Sequence, residues 1–140
     1  MLKTSCLHPE IISVLARCGH GDQVLIADGN YPVESGSHAQ TKKVYLGLTH
    51  GIPLVTDILQ VLTSSIEIEK AEIMVPDDGK RLPIHEEFQR LIHSVPQLDA
   101  LGRFEFYEAA KRECVKLIVA SGDQRVYANL LLTVGVVKPS

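Results

Sequence analysis

Gly19-His20-Gly21-Asp22-Gln23-Val24-Leu25-Ile26-Ala27-Asp28 is the stretch on which the fold turns. Gln23 to Ala27 is a short, nearly continuous apolar run rich in β-formers, the pattern of a strand covered on both faces. Two glycines precede it and close a helical pattern, and Asp28 stands at its C-terminal end. The Gly-His-Gly triplet invites a nucleotide-binding reading, but Val24 sits where the third glycine of G-x-G-x-x-G belongs. The order is also reversed, because a dinucleotide loop follows a strand and opens a helix so that phosphate meets the helix N-terminus.

Upstream, His8-Pro9-Glu10 with Ile11, Ile12, Val14 and Leu15 has proline in the first turn and apolar residues near a 3.6 period, which predicts a helix stopped by Gly19. Downstream, residues Gly29 to Gln40 are turn-rich and aperiodic and predict a long loop. Lys43 to Leu48 predicts a strand, and Leu54, Val55, Ile58, Leu59 and Leu62 mark an amphipathic helix. Ile66 to Val75 reads as one strand or two short ones, and Pro76-Asp77-Asp78-Gly79 as a turn. Helices are predicted over Pro83 to Val95 and Arg103 to Cys114, a strand over Lys116 to Ala120, and a buried strand or strand pair over Tyr127 to Val137. Helices and strands alternate throughout, so the expected fold is α/β: one domain over residues 1–140, three α/β/α layers around a mostly parallel central sheet.

A chain of 140 residues with 45% hydrophobic residues can bury one sizeable core. Its 14 basic and 17 acidic residues are interspersed, so there is no basic stripe for a phosphate backbone, and no nucleic-acid partner is expected. No apolar run approaches the roughly 20 residues that span a bilayer, and Met1 to Cys6 leads into helix signals instead of an apolar leader core. No membrane partner is expected. Cys6, Cys18 and Cys114 are odd in number and lack C-x-x-C spacing, which predicts reduced thiols and a cytoplasmic location. Six histidines lack the i+2, i+3 or i+4 pairing usual for local metal ligands, so no metal or other cofactor is expected.

What carries chemistry is a set of short motifs: Gly19-His20-Gly21-Asp22, Ala27-Asp28-Gly29-Asn30-Tyr31-Pro32, Arg103-Phe104-Glu105-Phe106-Tyr107-Glu108, and Tyr127-Ala128-Asn129 followed by Leu131-Leu132 and Gly135-Val136. In this order and at these separations they resemble the ribose pyranase and fucose mutarotase family (RbsD/FucU) over nearly the full length. The resemblance implies that His20 is the proton-transfer residue and that Asp28, Arg103, Tyr127 and Asn129 bind a monosaccharide. It also implies a ring-shaped homo-oligomer, commonly a decamer, with each site completed between neighbouring subunits. Arg103 and the residues after it look like the fucose branch, Thr49-His50-Gly51-Ile52-Pro53 looks closer to the ribose branch, and Gly29 stands where fucose members usually carry alanine. Fucose, ribose and other aldoses stay open as substrates, as does a sugar-binding accessory without turnover.

The residue chemistry agrees. Opening a cyclic hemiacetal removes a proton from the anomeric hydroxyl and delivers one to the ring oxygen, and closure reverses both transfers without a redox group. An imidazole with an ordinary pKa of about 6.5 donates and accepts near neutrality. A carboxylate at Asp28, an amide at Asn129, a phenol at Tyr127 and a guanidinium at Arg103 supply complementary acceptors and donors for hydroxyl groups. Taken singly, each has a plainer reading: His20 as a loop residue, Asp28 as a turn cap, Arg103 as part of a solvated helix pair, Tyr127 and Asn129 as strand-entry residues. Phe104, Phe106 and Tyr107 read as core or subunit contacts, and His38 and His50 as loop histidines.

Overall fold

The computed structural model describes residues 1–140. Its elements run α1 (Pro9–Arg17), β1 (Gln23–Ala27), β2 (Lys42–Tyr45), α2 (Val55–Thr63), β3 (Ile68–Met74), α3 (Pro83–Leu91), β4 (Asp99–Leu101), α4 (Arg103–Ala110), β5 (Val115–Ala120) and β6 (Leu130–Val134). The six strands form one sheet in the order β2-β5-β1-β6-β3-β4. Every residue of β1 and of β6 is buried, which is why both read as nearly continuous apolar runs, broken only by Gln23 and Thr133.

Alternation along the strands sorts side chains into two cores. Val24, Ile26, Leu117, Val119, Leu130 and Leu132 face one way and pack with Ile11 and Val14 of α1, Ile58, Leu59 and Leu62 of α2, and Ile84 and Phe88 of α3. Leu25, Ala27, Ile118, Leu131 and Met74 face the other way and meet Phe106, Ala109 and Ala110 of α4 with Tyr31 and Val33 from the loop after β1. The result is the expected three-layer α/β/α arrangement, with three helices on one face and one on the other.

The sheet is mixed, so the expectation of a mostly parallel sheet holds only in part. The β1–β5, β2–β5 and β3–β4 pairings are parallel, whereas β6 runs antiparallel to both β1 and β3. Apolar runs buried on both faces carry no sign of direction, and for that reason the reversal was not readable from residues 127–137. That tail forms one strand, and Ile66 to Val75 likewise yields the single strand β3. Strand β2 ends at Tyr45, three residues before the expected Leu48, and helices α3 and α4 stop at Leu91 and Ala110. The three-residue edge strand β4 lies in a segment to which the sequence assigned no element.

Helix starts are set by side chains that reach back one turn. Asp57, His85 and Glu105, each the third residue of its helix, accept hydrogen bonds from the N–H groups of Leu54, Leu82 and Gly102 at 2.8, 3.0 and 3.3 Å. In α1, Pro9 supplies the helical φ directly and His8 Nδ1 accepts from the Ile11 N–H.

Phe106 is the largest fully buried side chain that α4 contributes to the face on which it is the one covering helix. Phe106→Ala should lower unfolding free energy by about 3–5 kcal/mol, read as a reduced urea midpoint at unchanged slope.

Candidate active site

The carboxyl ends of β1 and β3 lie at one edge of the sheet, where open α/β sheets hold their ligands. Because β6 runs against β1, the residues that enter β6 lie beside the residue that leaves β1. The Asp28 N–H donates to Asn129 Oδ1 at 2.8 Å, and Asn129 Nδ2 donates back to Asp28 Oδ2 at 3.1 Å. This reciprocal pair fixes the orientation of the amide. The Asn30 N–H donates to Asp28 Oδ1 at 2.9 Å. Both side chains are buried. Burial pushes the Asp28 carboxyl above its ordinary pKa, and the hydrogen bonds from Asn30, Ala128 and Asn129 oppose that rise without cancelling it.

Tyr127 sits two residues before Asn129 with φ of 59°, a left-handed conformation uncommon for a residue with a side chain. Its carbonyl is held by His85, which has no solvent exposure. His85 Nδ1 accepts from the Leu82 N–H at 3.0 Å, so the ring proton resides on Nε2 and is donated to the Tyr127 carbonyl, also at 3.0 Å. Burial lowers the His85 pKa, and the bond to the Tyr127 carbonyl opposes that shift. His85 is a neutral strut between α3 and the Tyr127 turn.

A second support ties the 121–129 segment down. Asp123, fully buried, accepts from the Val55 N–H at 3.0 Å and from Arg125 Nη2 and Nε at 2.7 and 3.0 Å. Arg125 Nη1 donates in turn to Glu87 of α3 at 2.8 Å. Burial acts to raise the Asp123 pKa, but the bonds from Arg125 and Val55 outweigh it and hold the group below the usual carboxylate range. Gly122 packs against the turn at Thr49 to Ile52, where a side chain would overlap the carbonyl oxygens of both residues.

Arg103 opens α4 at the same edge. Its Nε donates to the Tyr107 hydroxyl at 3.2 Å, and the guanidinium lies 5.7 Å from the Tyr107 ring centre and 5.6 Å from that of Phe104. Asp28, Arg103, Tyr127 and Asn129 thus share the wall of one cleft of about 230 Å³, together with Asn30, Tyr31, Met74, Tyr107 and Val126. A larger cleft of about 450 Å³ opens beyond Asn30 and is lined by Gly47 to His50 and Ser121 to Gln124. Nowhere do three or more His, Cys, Asp or Glu side chains converge in an arrangement able to hold a metal ion.

His20 is elsewhere. It occupies the turn at the opposite end of β1, with Nε2 2.9 Å from both carboxylate oxygens of Glu69 and a side chain that is 61% exposed. Gly21, at φ of 90°, and Asp22 bind this turn to the end of β6: the Gly21 N–H donates to the Val134 carbonyl at 2.9 Å and the Val134 N–H to the Asp22 carbonyl at 2.8 Å. Five strand residues separate it from Asp28, a span of roughly 16 Å at about 3.3 Å per residue. Within one chain, four of the five residues selected from the sequence meet and the imidazole does not meet them.

Tyr31 and Tyr107 line the cleft and His85 supports it, roles not assigned to them from sequence. Tyr107 could have been found, since it lies one helical turn from Arg103. For His85 no local signal exists, because its partner Tyr127 is 42 residues away.

The chain matches known proteins over nearly its whole length. The model of the RbsD / FucU transport protein family covers residues 1–137. A D-ribose pyranase of Variovorax paradoxus (strain S110) is 35% identical over 138 residues, which span 97% of this chain and 98% of that protein. The fucose mutarotase of Homo sapiens is 36% identical over 141 residues, 93% of this chain and 89% of that protein. Among solved structures, Bacillus subtilis RbsD complexed with D-ribose superposes with a TM-score of 0.83 at 25% identity, over 99% of this chain and 100% of the other.

His85→Phe keeps a ring of similar volume but leaves the Tyr127 carbonyl and the Leu82 N–H without their partner, so stability at pH 7 should fall by about 1–3 kcal/mol for each group left unpaired. A depressed folded pKa means that His85 contributes stability above the unfolded value of about 6.5 and loses it as pH falls toward the folded value. Urea titrations from pH 7 downward should show this loss in the wild type and a flatter profile in the variant.

Proposed function

Because the chain belongs to the RbsD / FucU family, we propose that it is a monosaccharide mutarotase that opens and recloses the ring of a free aldose. The observation that carries the reading is the convergence of Asp28, Arg103, Tyr127 and Asn129, drawn from three separate stretches, on one small cleft at the carboxyl edge of the sheet. Asp28 accepts hydrogen bonds from sugar hydroxyls, Arg103 donates a rigid fork, and the Tyr127 ring offers an apolar face to C–H groups. Asn129 holds Asp28 in place through its two hydrogen bonds.

The proton-transfer group in this proposal is His20, delivered by a neighbouring subunit of a homo-oligomer, with a decameric ring as the proposed assembly. Its exposure and its separation from the cleft of its own chain support that arrangement. The activity is placed in the cytoplasm, on the ground of an odd number of cysteines without pair spacing. L-Fucose is the first substrate to test, because Arg103 and the residues after it resemble the fucose branch, with D-ribose next. The same exposure of His20 favours a second reading: a chain that remains monomeric has a sugar cleft without an imidazole and would bind without turnover.

Exchange NMR on fucose, ribose and galactose separates the two. The wild type should accelerate exchange between ring forms of at least one sugar, and His20→Ala should slow it by roughly 10²- to 10⁴-fold, the usual contribution of a positioned acid–base group. His20→Ala and Asp28→Asn should each be inactive alone, yet co-expressed in equal amounts they should recover about a quarter of wild-type turnover, as expected when one site draws on two subunits of a symmetric ring. Exchange at the buffer rate for every sugar, with binding retained, would establish the accessory reading.

A further inference from the structure

Tyr31 lies three residues beyond Asp28, in the turn after β1. Its ring is packed edge-on against Phe106, at 6.1 Å and 75°, and against Tyr107, at 5.5 Å and 71°. These contacts belong to the apolar body of the ring, and phenylalanine would make them equally well. The hydroxyl is another matter. The residue is 8% exposed, and its oxygen is the one buried side-chain polar atom in the protein without a hydrogen-bond partner. Buried polar groups are almost always partnered, so an orphan among residues that otherwise satisfy one another calls for a specific cause.

Its position supplies one. Tyr31 and Asp28 together form part of the wall of the 230 Å³ cleft and of an adjoining cleft of about 390 Å³, so both groups are shared between two neighbouring spaces. Asp28, once ionised, can only accept hydrogen bonds, whereas a phenol can donate. A sugar hydroxyl that donates to Asp28 keeps lone pairs free for a donor, and Tyr31, whose hydroxyl is closed to solvent in the free protein, lines the same cleft. Burial, with Tyr107 and Asp28 close by, drives the Tyr31 pKa far above its ordinary value, so the phenol keeps its proton at physiological pH.

We propose that Tyr31 is a further substrate-binding residue, whose hydroxyl donates a hydrogen bond to the sugar hydroxyl that Asp28 accepts. The assignment rests on the mutarotase reading of this cleft. It makes the alignment of one particular hydroxyl depend on two adjacent side chains, and it gives the free protein an unsatisfied donor that binding satisfies.

Tyr31→Phe removes the oxygen and nothing else. Calorimetry with the sugar that the wild type exchanges fastest should show about tenfold weaker binding, the usual weight of one hydrogen bond in a buried site. The thermal midpoint of the ligand-free variant should equal or exceed that of the wild type, since an orphan group has been deleted. Across a series of monodeoxy forms of that sugar, wild type and variant should bind one member equally, which identifies the hydroxyl contacted. Equal affinity of the two proteins for the intact sugar would overturn the assignment, as would a uniform loss across the whole deoxy series or a fall in the thermal midpoint. In each of those cases wild-type exchange persists and the mutarotase reading stands. A wild type that neither binds nor exchanges any sugar removes both together.

Discussion

Strand β6 lies between β1 and β3 and runs against both, and its five residues are all buried. In an otherwise parallel sheet, residues that follow strands collect at the carboxyl edge and residues that precede them at the other. Reversing one central strand brings the residues that precede it to the carboxyl edge as well, and that is how Tyr127 and Asn129 come to stand beside Asp28. The two Asp28–Asn129 hydrogen bonds close the junction. At its far end the same strand holds the turn carrying His20, through Gly21 and Asp22. One strand therefore sets the positions of both halves of the proposed site and keeps them on opposite edges of a single chain.

Two histidines illustrate how environment separates structure from chemistry. Both ring nitrogens of His85 are engaged, one accepting and one donating, in a setting without solvent. A second proton would break the bond from Leu82 and place a charge in the core, so this imidazole is confined to one protonation state. His20 is exposed and touches a single partner, Glu69, through Nε2. The acid–base role proposed for His20 needs a ring that a ligand can reach, and of the two only His20 is exposed. The rigidity of His85 serves the site differently, by holding Tyr127 in a backbone conformation that a tyrosine rarely adopts unaided.

The cleft combines restraint with openness. Asp28 and Asn129 are buried and bonded to each other, and buried His85 holds the Tyr127 carbonyl, while Arg103 is exposed and anchored by its stacking and hydrogen bond at Tyr107. In the proposed function the buried pair sets where hydroxyls would sit, and the exposed guanidinium stands at the wall of the same cleft. Asp123 and Arg125 contribute at one remove, by clamping the segment that leads into Tyr127 to the start of α2 and the middle of α3.

The sequence by itself determined the buried strand at Gln23 to Ala27, a buried strand or strand pair within Tyr127 to Val137, the helices opened by Pro9 and Pro83, the loop from Gly29, and the family motifs that mark His20, Asp28, Arg103, Tyr127 and Asn129. The strands, helices and loop are local patterns of period, capping or turn chemistry written into consecutive residues, whereas the five site residues were marked by the family resemblance of their motifs. The tertiary structure alone decided that β6 is antiparallel, that β4 exists, that Tyr31 carries an orphan hydroxyl at the cleft, that His85 supports Tyr127, and that His20 lies at the opposite edge from Asp28. Strand direction leaves no trace in a doubly buried run, and a contact between residues 42 or 101 positions apart depends on sheet order, which no window of sequence contains.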